Sequence, residues 1–326
     1  MLIKRQGQNN NLPITSMDEP IIEVWDVRKE YKNFTAVDGV TFSVYRGDVF
    51  GFLGPNGAGK STTIRMLTSL IHPTSGRIKI FGLDLAKHRE EILRNIGAIV
   101  ERPDMYLYLT AIKNLELVAR MYRADSSRKH LMDILEIVGL VARAESKVKT
   151  FSHGMKQRLG IACTLVHDPQ LIILDEPTTG LDPQGMKDVR DIILRLSREK
   201  GKTVFLSSHI LPEIEVTANR MVIINKGKIV VEGEVQKLLN NEHVRLTLDC
   251  NLPDKVVELI LSSPWKQHYR KLEEGKLVFE INTEEITLLN SYLVSQGVEV
   301  RALIPTKSLE DYFLQCINQA EVLNNQ

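Results

Sequence analysis

The segment from Gly54 to Thr62 limits the possible folds of this chain more than any other. It reads Gly-Pro-Asn-Gly-Ala-Gly-Lys-Ser-Thr and matches the pattern G-x-x-x-x-G-K-[ST] in full. Glycines permit backbone angles that a Cβ atom forbids, so several N–H groups of such a loop can point at one anion. A helix predicted to begin at Ser61 adds its unpaired N–H groups and its partial positive charge. We therefore expect the loop to hold the phosphates of a nucleotide, with Lys60 between the β- and γ-phosphates and the Ser61 hydroxyl on Mg²⁺.

A glycine-rich turn with a chance lysine is the alternative explanation of this segment. The apolar run 49–53 before it predicts a strand, and the run after it predicts a helix, which is the context that a phosphate-binding loop requires. The predicted nucleotide-binding residues of the loop are Gly54, Pro55, Asn56, Gly57, Ala58, Gly59, Lys60, Ser61 and Thr62.

Composition and length describe an ordinary globular protein of about two domains. The chain has 326 residues, of which 43% are hydrophobic and 25% are charged. A formal net charge of +1 gives no electrostatic case for nucleic acid as a partner. The 3 cysteines include no C-x-x-C pair, so we predict no zinc site and a reducing compartment.

We predict neither a membrane span nor a secretory signal. The most apolar stretch, 159–174, is interrupted by the polar segment 167–170. The first residues carry positive charges but no apolar core segment, so we expect 1–20 to form a polar, mobile tail.

Alternating apolar and polar residues predict two strands ahead of the phosphate loop, over 21–27 and 39–44. This pattern indicates an antiparallel β segment. Tyr31 falls in the connection between the two strands. Its ring could offer a flat face to an adenine base or could lie half-buried at a sheet edge, and its position alone does not decide between these.

After the loop, the pattern predicts a helix over 62–70, strands over 77–82 and 95–101, and helices over 111–122 and 127–138. The next predicted helix runs to Val166 and begins after Ser152, a plausible N-cap. The Ser152 hydroxyl and the positive end of this helix would suit a contact with a γ-phosphate, whereas an ordinary N-cap explains the same residue types. We expect a helical subdomain over about 101–165.

Four apolar residues at 171–174, followed by Asp175 and Glu176, predict a strand buried on both faces of a parallel sheet. At the carboxyl end of that strand, Asp175 is placed to reach Mg²⁺ and Glu176 to orient or deprotonate a water that attacks the γ-phosphate. A solvated acidic turn would explain neither the buried strand nor the phosphate loop upstream. A further buried strand, 203–209, ends in His209, which can donate a hydrogen bond to phosphate.

Beyond the turn 180–183, the pattern predicts a helix to Arg198 and two closing strands, 221–224 and 228–231. A helix over 234–241 leads out of this first domain. From there short strands and amphipathic helices alternate in the order β-α-β-α-β-α, with the last helix over 308–316. We expect a second, smaller α+β domain over 241–326.

The ordered set of these features resembles the nucleotide-binding subunit of ABC transporters over about residues 21–236. The features are Tyr31, the loop 54–62, Glu101, 151–159, Asp175 with Glu176, 180–182 and His209. The resemblance implies an α/β fold of the P-loop NTPase class over 21–240, with a mixed, mainly parallel sheet core, an antiparallel β subdomain and a helical subdomain. It also implies a head-to-tail dimer with two ATP molecules sandwiched between the subunits.

The resemblance also implies roles for single residues. Tyr31 would stack on adenine, Ser152 and Gly154 would contact the γ-phosphate bound by the partner, and Asp182 would couple the two sites. The catalytic residues would be Lys60, Glu176 and His209, and the Mg²⁺ ligands would be Ser61, Glu101 and Asp175.

This sequence departs from the family pattern at two places. Phe151-Ser152-His153-Gly154-Met155 stands where the family usually has Leu-Ser-Gly-Gly-Gln, so the serine and one glycine are kept. Glu101 stands where the family usually has a glutamine that binds Mg²⁺ and senses the membrane subunit, and a carboxylate accepts hydrogen bonds only and adds a charge. Glu101 and the C-terminal segment 308–313 resemble the corresponding positions in the branch of the family that exports peptide antibiotics and drugs.

The expected function is therefore that of an ATP-hydrolysing subunit of an ABC exporter, peripheral to the cytoplasmic face of the membrane. Its expected partners are an integral-membrane permease and a second ATP-binding subunit, with ATP and Mg²⁺ as cofactors. An importer subunit would more often carry glutamine at 101. A soluble ABC ATPase would resemble proteins with two cassettes or a long coiled coil, and a purely regulatory module would lack the base at Glu176.

Overall fold

The computed structural model describes residues 19–239 and 243–306. Its contacts divide the chain into two compact units, Met1–Glu232 and Gly233–Gln326. The predicted helix over 308–316 and nearly all of the predicted N-terminal tail lie outside the described residues.

A six-stranded sheet forms the centre of the first unit, in the order β10-β9-β3-β8-β7-β6. Strand β3 pairs in parallel with β8 and β9, and β7 pairs in parallel with β6 and β8. Every residue of β3, β7 and β8 is buried, which explains their nearly continuous apolar sequences. The strands are β3 (Val49–Leu53), β6 (Ile96–Ile99), β7 (Leu171–Leu174), β8 (Thr203–Ser208), β9 (Arg220–Asn225) and β10 (Lys228–Glu234).

A second, antiparallel sheet packs on this one and has the order β2-β1-β4-β5. Its strands are β1 (Pro20–Tyr31), β2 (Phe34–Tyr45), β4 (Ser75–Ile80) and β5 (Leu83–Asp84). Phe42 of β2 contacts Phe50, Phe52 and Phe205 of the central sheet, with ring centroids 5.6, 5.5 and 6.1 Å away. This aromatic cluster joins the two sheets in one buried core.

Seven helices surround the sheets of the first unit as the structure describes it. They are α1 (Lys60–Leu67), α2 (Arg89–Leu93), α3 (Ala111–Tyr122), α4 (Arg128–Ile137), α5 (His153–Leu165), α6 (Pro183–Arg198) and α7 (Leu211–Thr217). Helices α3, α4 and α5 pack on one another. Each begins after a hydroxyl side chain, from Thr110, Ser127 or Ser152, that accepts a hydrogen bond from the backbone N–H three residues later.

The described part of the second unit has a four-stranded antiparallel sheet in the order β12-β13-β11-β14. Its elements are α8 (Val235–Leu239), β11 (His243–Cys250), α9 (Pro253–Leu261), β12 (Tyr269–Glu273), β13 (Lys276–Asn282), α10 (Ile286–Ser295) and β14 (Val300–Thr306). The order β-α-β-β-α-β from β11 onward is that of ferredoxin-like α+β folds.

The structure corrects the predicted elements at several places. The predicted order of the second domain omitted β12, an edge strand on which four of five residues are exposed, so no buried periodicity marks it. The predicted second strand began at residue 39, whereas β2 begins at Phe34, because Phe34 and Thr35 are exposed and break the alternation. The short elements β5 and α2 were also missed.

Within the described residues, no helix has the length and apolar character needed to cross a membrane. Two of the cysteines, Cys163 and Cys250, are free thiols. Burial raises the pKa of the Cys163 thiol to about 12, so it is not a nucleophile near neutral pH. Cys316 lies outside the described residues.

Candidate functional site

The predicted phosphate loop and the predicted acidic pair meet at one edge of the central sheet. Strands β3, β8 and β7 are parallel neighbours, so their carboxyl ends lie side by side. The loop 54–59 follows β3, Asp175 and Glu176 follow β7, and His209 follows β8. Residues that are far apart in sequence are thereby brought together at the edge where open α/β sheets bind ligands.

Glycine is required by close packing at two positions of the loop. A Cβ atom on Gly54 would lie 2.2 Å from the carbonyl oxygen of Ile224. Gly59 has a φ of 112°, and a Cβ atom there would lie 2.6 Å from the carbonyl oxygen of Ala36. These positions hold the loop tightly against the surrounding strands, with its backbone in the conformation that only glycine adopts easily.

Lys60 is folded back into this loop. Its side chain is only 5% exposed, and its Nζ donates to the carbonyl oxygens of Gly54 at 2.8 Å and Pro55 at 3.2 Å. The same ammonium lies 3.2 Å from Oε1 of Glu176. The predicted phosphate-binding cation and the predicted base are therefore in direct contact.

The Glu176 carboxylate has partners on both oxygens. Oε2 accepts a hydrogen bond from the Thr179 hydroxyl at 2.9 Å and lies 3.0 Å from Nδ1 of His209. Burial raises the pKa of the Glu176 carboxyl, but the hydrogen bonds from Thr179 and Lys60 and the charges of Lys60 and His209 outweigh it, so the pKa lies below its ordinary value. Glu176 is therefore ionised near neutral pH and can accept a hydrogen bond from water.

Asp175 lies deeper than Glu176, with 4% exposure. Its Oδ1 accepts a hydrogen bond from the hydroxyl of Ser207 at 2.6 Å. The same Ser207 oxygen accepts the backbone N–H of Glu176 at 2.9 Å. Sequence reasoning missed both Thr179 and Ser207, although each lies within three residues of a predicted site residue and carries a hydroxyl group.

Glu101 is placed differently from the two other predicted Mg²⁺ ligands. It follows β6 with a φ of 67°, its side chain is 62% exposed, and it forms an ion pair with Arg65 of α1. In the described residues, no three His, Cys, Asp or Glu side chains cluster as a metal site would require. A hydroxyl from Ser61 and a carboxylate from Asp175 are nevertheless hard oxygen donors that suit Mg²⁺ when phosphate and water supply the remaining ligands.

Tyr31 ends β1 and is 41% exposed. Its ring stacks on Phe34 with centroids 5.3 Å apart, and the Lys29 ammonium lies 5.3 Å from the ring centroid. The tyrosine is thus half-exposed at the end of a strand, with one aromatic contact in place.

The remaining predicted residues form a second group, on α5 and α6. The Ser152 hydroxyl caps α5 by accepting the N–H of Met155 at 3.2 Å, and Asp182 caps α6 by accepting the N–H of Gly185 at 3.1 Å. Nδ1 of His153 lies 3.1 Å from the carbonyl oxygen of Gly180, which ties the two helix starts together. Ser152 and His153 are exposed, so the start of α5 is open to solvent.

The two groups do not bond to each other within the described chain. No hydrogen bond or ion pair in residues 19–239 joins Ser152 or Asp182 to Lys60, Glu176 or His209. The phosphate loop with its acids and the serine-capped start of α5 are therefore two groups of residues that do not bond to each other within the described chain.

The chain was also compared with known proteins. Residues 37–179 match the family model described as ABC transporter. The chain is 42% identical over 299 residues to the bacitracin transport ATP-binding protein BcrA of Bacillus licheniformis, covering 91% of this chain and 97% of that protein. It is 40% identical over 228 residues to the lantibiotic transport ATP-binding protein SrtF of Streptococcus pyogenes, covering 68% of this chain and 97% of that protein.

A solved structure also resembles this chain. It is the dimeric, post-hydrolysis state of the ATP-binding cassette MJ0796 bound to ADP and Pi, which is 28% identical and has a TM-score of 0.60. The match covers 66% of this chain and 98% of that chain. The fold class and the resemblance predicted from the sequence are thereby confirmed: this chain belongs to the ABC transporter family, as one of its ATP-binding ATPase subunits.

Proposed function

We propose that this chain is the motor subunit of an ABC exporter, in which two copies close on two ATP molecules and drive a membrane permease. The observation that carries the proposal is the contact of Lys60 with Glu176 at the phosphate loop. In this contact the proposed phosphate-binding cation lies beside an ionised carboxylate that can accept a hydrogen bond from water. The proposal also accounts for the start of α5, which has no hydrogen bond or ion pair to the phosphate loop within the described residues of its own chain.

ATP is held, in this proposal, by the residues of the loop 54–62. The loop N–H groups and the start of α1 attract the phosphates, and Lys60 binds the β- and γ-phosphates. Ser61 and Asp175 would hold Mg²⁺, which would neutralise charge on the phosphate oxygens. The exposed face of Tyr31 stacks on the adenine ring.

Hydrolysis depends on the carboxylate of Glu176. Being ionised, it accepts a hydrogen bond from water and orients that water toward the γ-phosphate. Thr179 and His209 keep the carboxylate in place through Oε2. Nδ1 of His209 faces the Glu176 carboxylate and must donate to it, so the other ring nitrogen donates to the γ-phosphate only when the imidazole carries both protons.

The partner chain completes each site in this proposal. Ser152 and Gly154 at the start of α5 contact the γ-phosphate bound by the other copy, and Asp182 links the two sites across the interface. The His153 contact with Gly180 supports this assignment, because it makes the two helix starts one surface.

A permease is the second proposed partner, and the chain would lie at the cytoplasmic face of the membrane. An exporter of antibiotic-like peptides is supported by two relatives, named for bacitracin transport and lantibiotic transport. Glu101 supports the same branch, since importers more often carry glutamine there. We propose that Glu101 acts at the permease-facing surface through its exposed pair with Arg65, and that it ligates Mg²⁺ only if ATP binding breaks that pair.

The sandwich dimer is tested with Glu176→Gln, which keeps the side-chain shape but removes the carboxylate. With saturating MgATP this variant should elute from a sizing column as a dimer at high protein concentration, because bound ATP is not consumed. Lys60→Ala in the same buffer is the control and should stay monomeric. A monomeric Glu176→Gln protein that retains MgATP would contradict the sandwich.

Detergent extraction tests the transporter assignment. The full chain should co-purify from membranes with an integral membrane protein. The Lys60→Ala variant should recover the same amount of that membrane protein. Recovery of the chain with no membrane protein would favour a soluble ABC ATPase.

A further inference from the structure

Strand β8 brings a hydroxyl between the two acids of the site. Leu206 pairs with Leu174 in the parallel ladder, so the next residue of β8, Ser207, lies beside the acids that follow β7. Ser207 has no exposed surface. Its hydroxyl donates to Oδ1 of Asp175 at 2.6 Å and accepts the backbone N–H of Glu176 at 2.9 Å. One buried oxygen therefore bridges two consecutive residues.

The backbone at Glu176 needs such support. Its φ of 45° lies in the left-handed region, which costs free energy in a residue with a side chain. The hydrogen bond from the Glu176 N–H to Ser207 stabilises this conformation. The left-handed turn aims the Glu176 side chain back toward Lys60, where the ion pair forms.

The two roles of the Ser207 hydroxyl depend on each other. Because the Asp175 carboxylate can only accept, the hydroxyl proton must point to Asp175, and this leaves the oxygen lone pairs facing the N–H of Glu176. A buried site has no bulk water to replace the hydroxyl if it is removed. Both acids would then lose the contact that fixes their orientation relative to each other.

We propose that Ser207 is a positioning residue that fixes the Mg²⁺-facing carboxylate of Asp175 and the water-orienting carboxylate of Glu176 in one arrangement. The proposal rests on the proposed ATPase roles of these two acids. His209 lies two residues further along the chain and contacts Oε2 of Glu176. One short segment thus sets the orientation of both acids, through Ser207 at its buried end and His209 at its exposed end.

The test compares Ser207→Ala with Ser208→Ala in the full-length protein. Ser208 is its neighbour on the same strand and is also buried, and within the described residues its hydroxyl bonds to the backbone of Ile210 alone. Removing an orienting hydrogen bond of a metal-ligating carboxylate lowers activity or metal affinity about 10–100-fold. Ser207→Ala should therefore lower kcat for ATP by that factor, with KM for ATP at saturating Mg²⁺ near the wild-type value. It should also raise the Mg²⁺ concentration needed for half-maximal binding of a fluorescent ATP analogue, measured at equilibrium without turnover.

Ser208→Ala should keep the wild-type kcat and Mg²⁺ dependence. Ser207→Thr, which retains the hydroxyl, should recover turnover, whereas Ser207→Val, which has the same shape without it, should not. The comparison of Ser207→Thr with Ser207→Val still tests the role of the hydroxyl if Ser207→Ala fails to fold.

Two results would overturn the proposal. The first is equal kcat and Mg²⁺ dependence for Ser207→Ala and Ser208→Ala, and the second is equal turnover for Ser207→Thr and Ser207→Val. Turnover of Glu176→Gln, measured in the same experiment, distinguishes a wrong role for Ser207 from a wrong role for Glu176. If Glu176→Gln abolishes turnover while Ser207→Ala does not, only the positioning role is wrong. If Glu176→Gln turns over like wild type, the proposed base is wrong.

Discussion

Nζ of Lys60 and Oε1 of Glu176 lie 3.2 Å apart, and the lysine is almost fully buried. A buried ammonium is stable only with an opposite charge or several acceptors nearby, and Lys60 has Glu176 and two carbonyl oxygens. A bound triphosphate would compete for the same ammonium. Transfer of Lys60 from Glu176 to the γ-phosphate would free one carboxylate oxygen to accept a hydrogen bond from water, which links substrate binding to activation of the base.

Replacing Lys60 by alanine should abolish tight binding of MgATP. Hydrogen bonds to charged groups contribute about 1.5–3 kcal/mol, so affinity should fall about 10–100-fold or more. Equilibrium binding of a fluorescent ATP analogue measures the change. Lys200→Ala removes an exposed lysine and serves as the control, with affinity near wild type. Unchanged binding in Lys60→Ala would mean that the loop does not hold the phosphates.

The depressed pKa of Glu176 predicts how its contribution to stability varies with pH. The ordinary value is 4.5, and the folded value lies below it. The ionised carboxylate therefore stabilises the fold fully above about pH 4.5, and this contribution is lost as pH falls through the folded pKa. The free energy of unfolding of wild type minus that of Glu176→Gln should be largest near pH 7 and should shrink below pH 4.5.

Urea unfolding at a series of pH values measures this difference. Thr179→Ala should make it smaller, because the variant lacks the hydrogen bond to Oε2 that helps to lower the pKa. A difference that grows as the pH falls would show that the pKa of the Glu176 carboxyl in the folded protein lies above its ordinary value.

The order of the predicted strands was enough to predict which residues meet at the site. The loop 54–62, the acids 175–176 and His209 could be placed at one sheet edge because parallel strands bring their carboxyl ends together. Contacts between side chains could not be predicted in this way. The bridge from Ser207 to both acids depends on the register of two strands that are about 30 residues apart, and no local pattern specifies that register.

Glu101 shows a second limit of the sequence. It was predicted as the last residue of a strand over 95–101, whereas β6 ends at Ile99, and its ion pair with Arg65 of α1 joins residues that no local pattern links. In the second unit, β12 was missed because its residues are mostly exposed. Periodicity detects elements that bury one face, and it fails where an edge strand buries almost nothing.

Glu101→Gln should alter coupling to the permease more than nucleotide binding. The pair with Arg65 is exposed, so its loss should change the free energy of unfolding by less than about 1 kcal/mol. MgATP affinity should stay near wild type, while the stimulation of ATPase turnover by the permease in proteoliposomes should change. Arg65→Gln breaks the same pair and should reproduce the effect if the pair matters rather than the carboxylate alone. Loss of MgATP binding in Glu101→Gln would show instead that this carboxylate is an essential Mg²⁺ ligand.

Mixing two inactive variants tests whether Ser152 acts on the partner's ATP. Ser152→Ala keeps its own phosphate loop, and Lys60→Ala keeps its own Ser152, so a mixed dimer contains one site with both residues intact. Random pairing in a symmetric dimer makes about half of the dimers mixed, and the mixture should reach up to about a quarter of the wild-type rate if the sites are independent. The matched control is Lys60→Ala mixed with Glu176→Gln, which leaves no intact site because both changes lie in the same half of it. Steady-state ATPase turnover of each variant alone and of both mixtures gives the comparison. If Ser152 served only its own chain, the first mixture would show the average of its two components, and the open start of α5 would be a helix cap and nothing more.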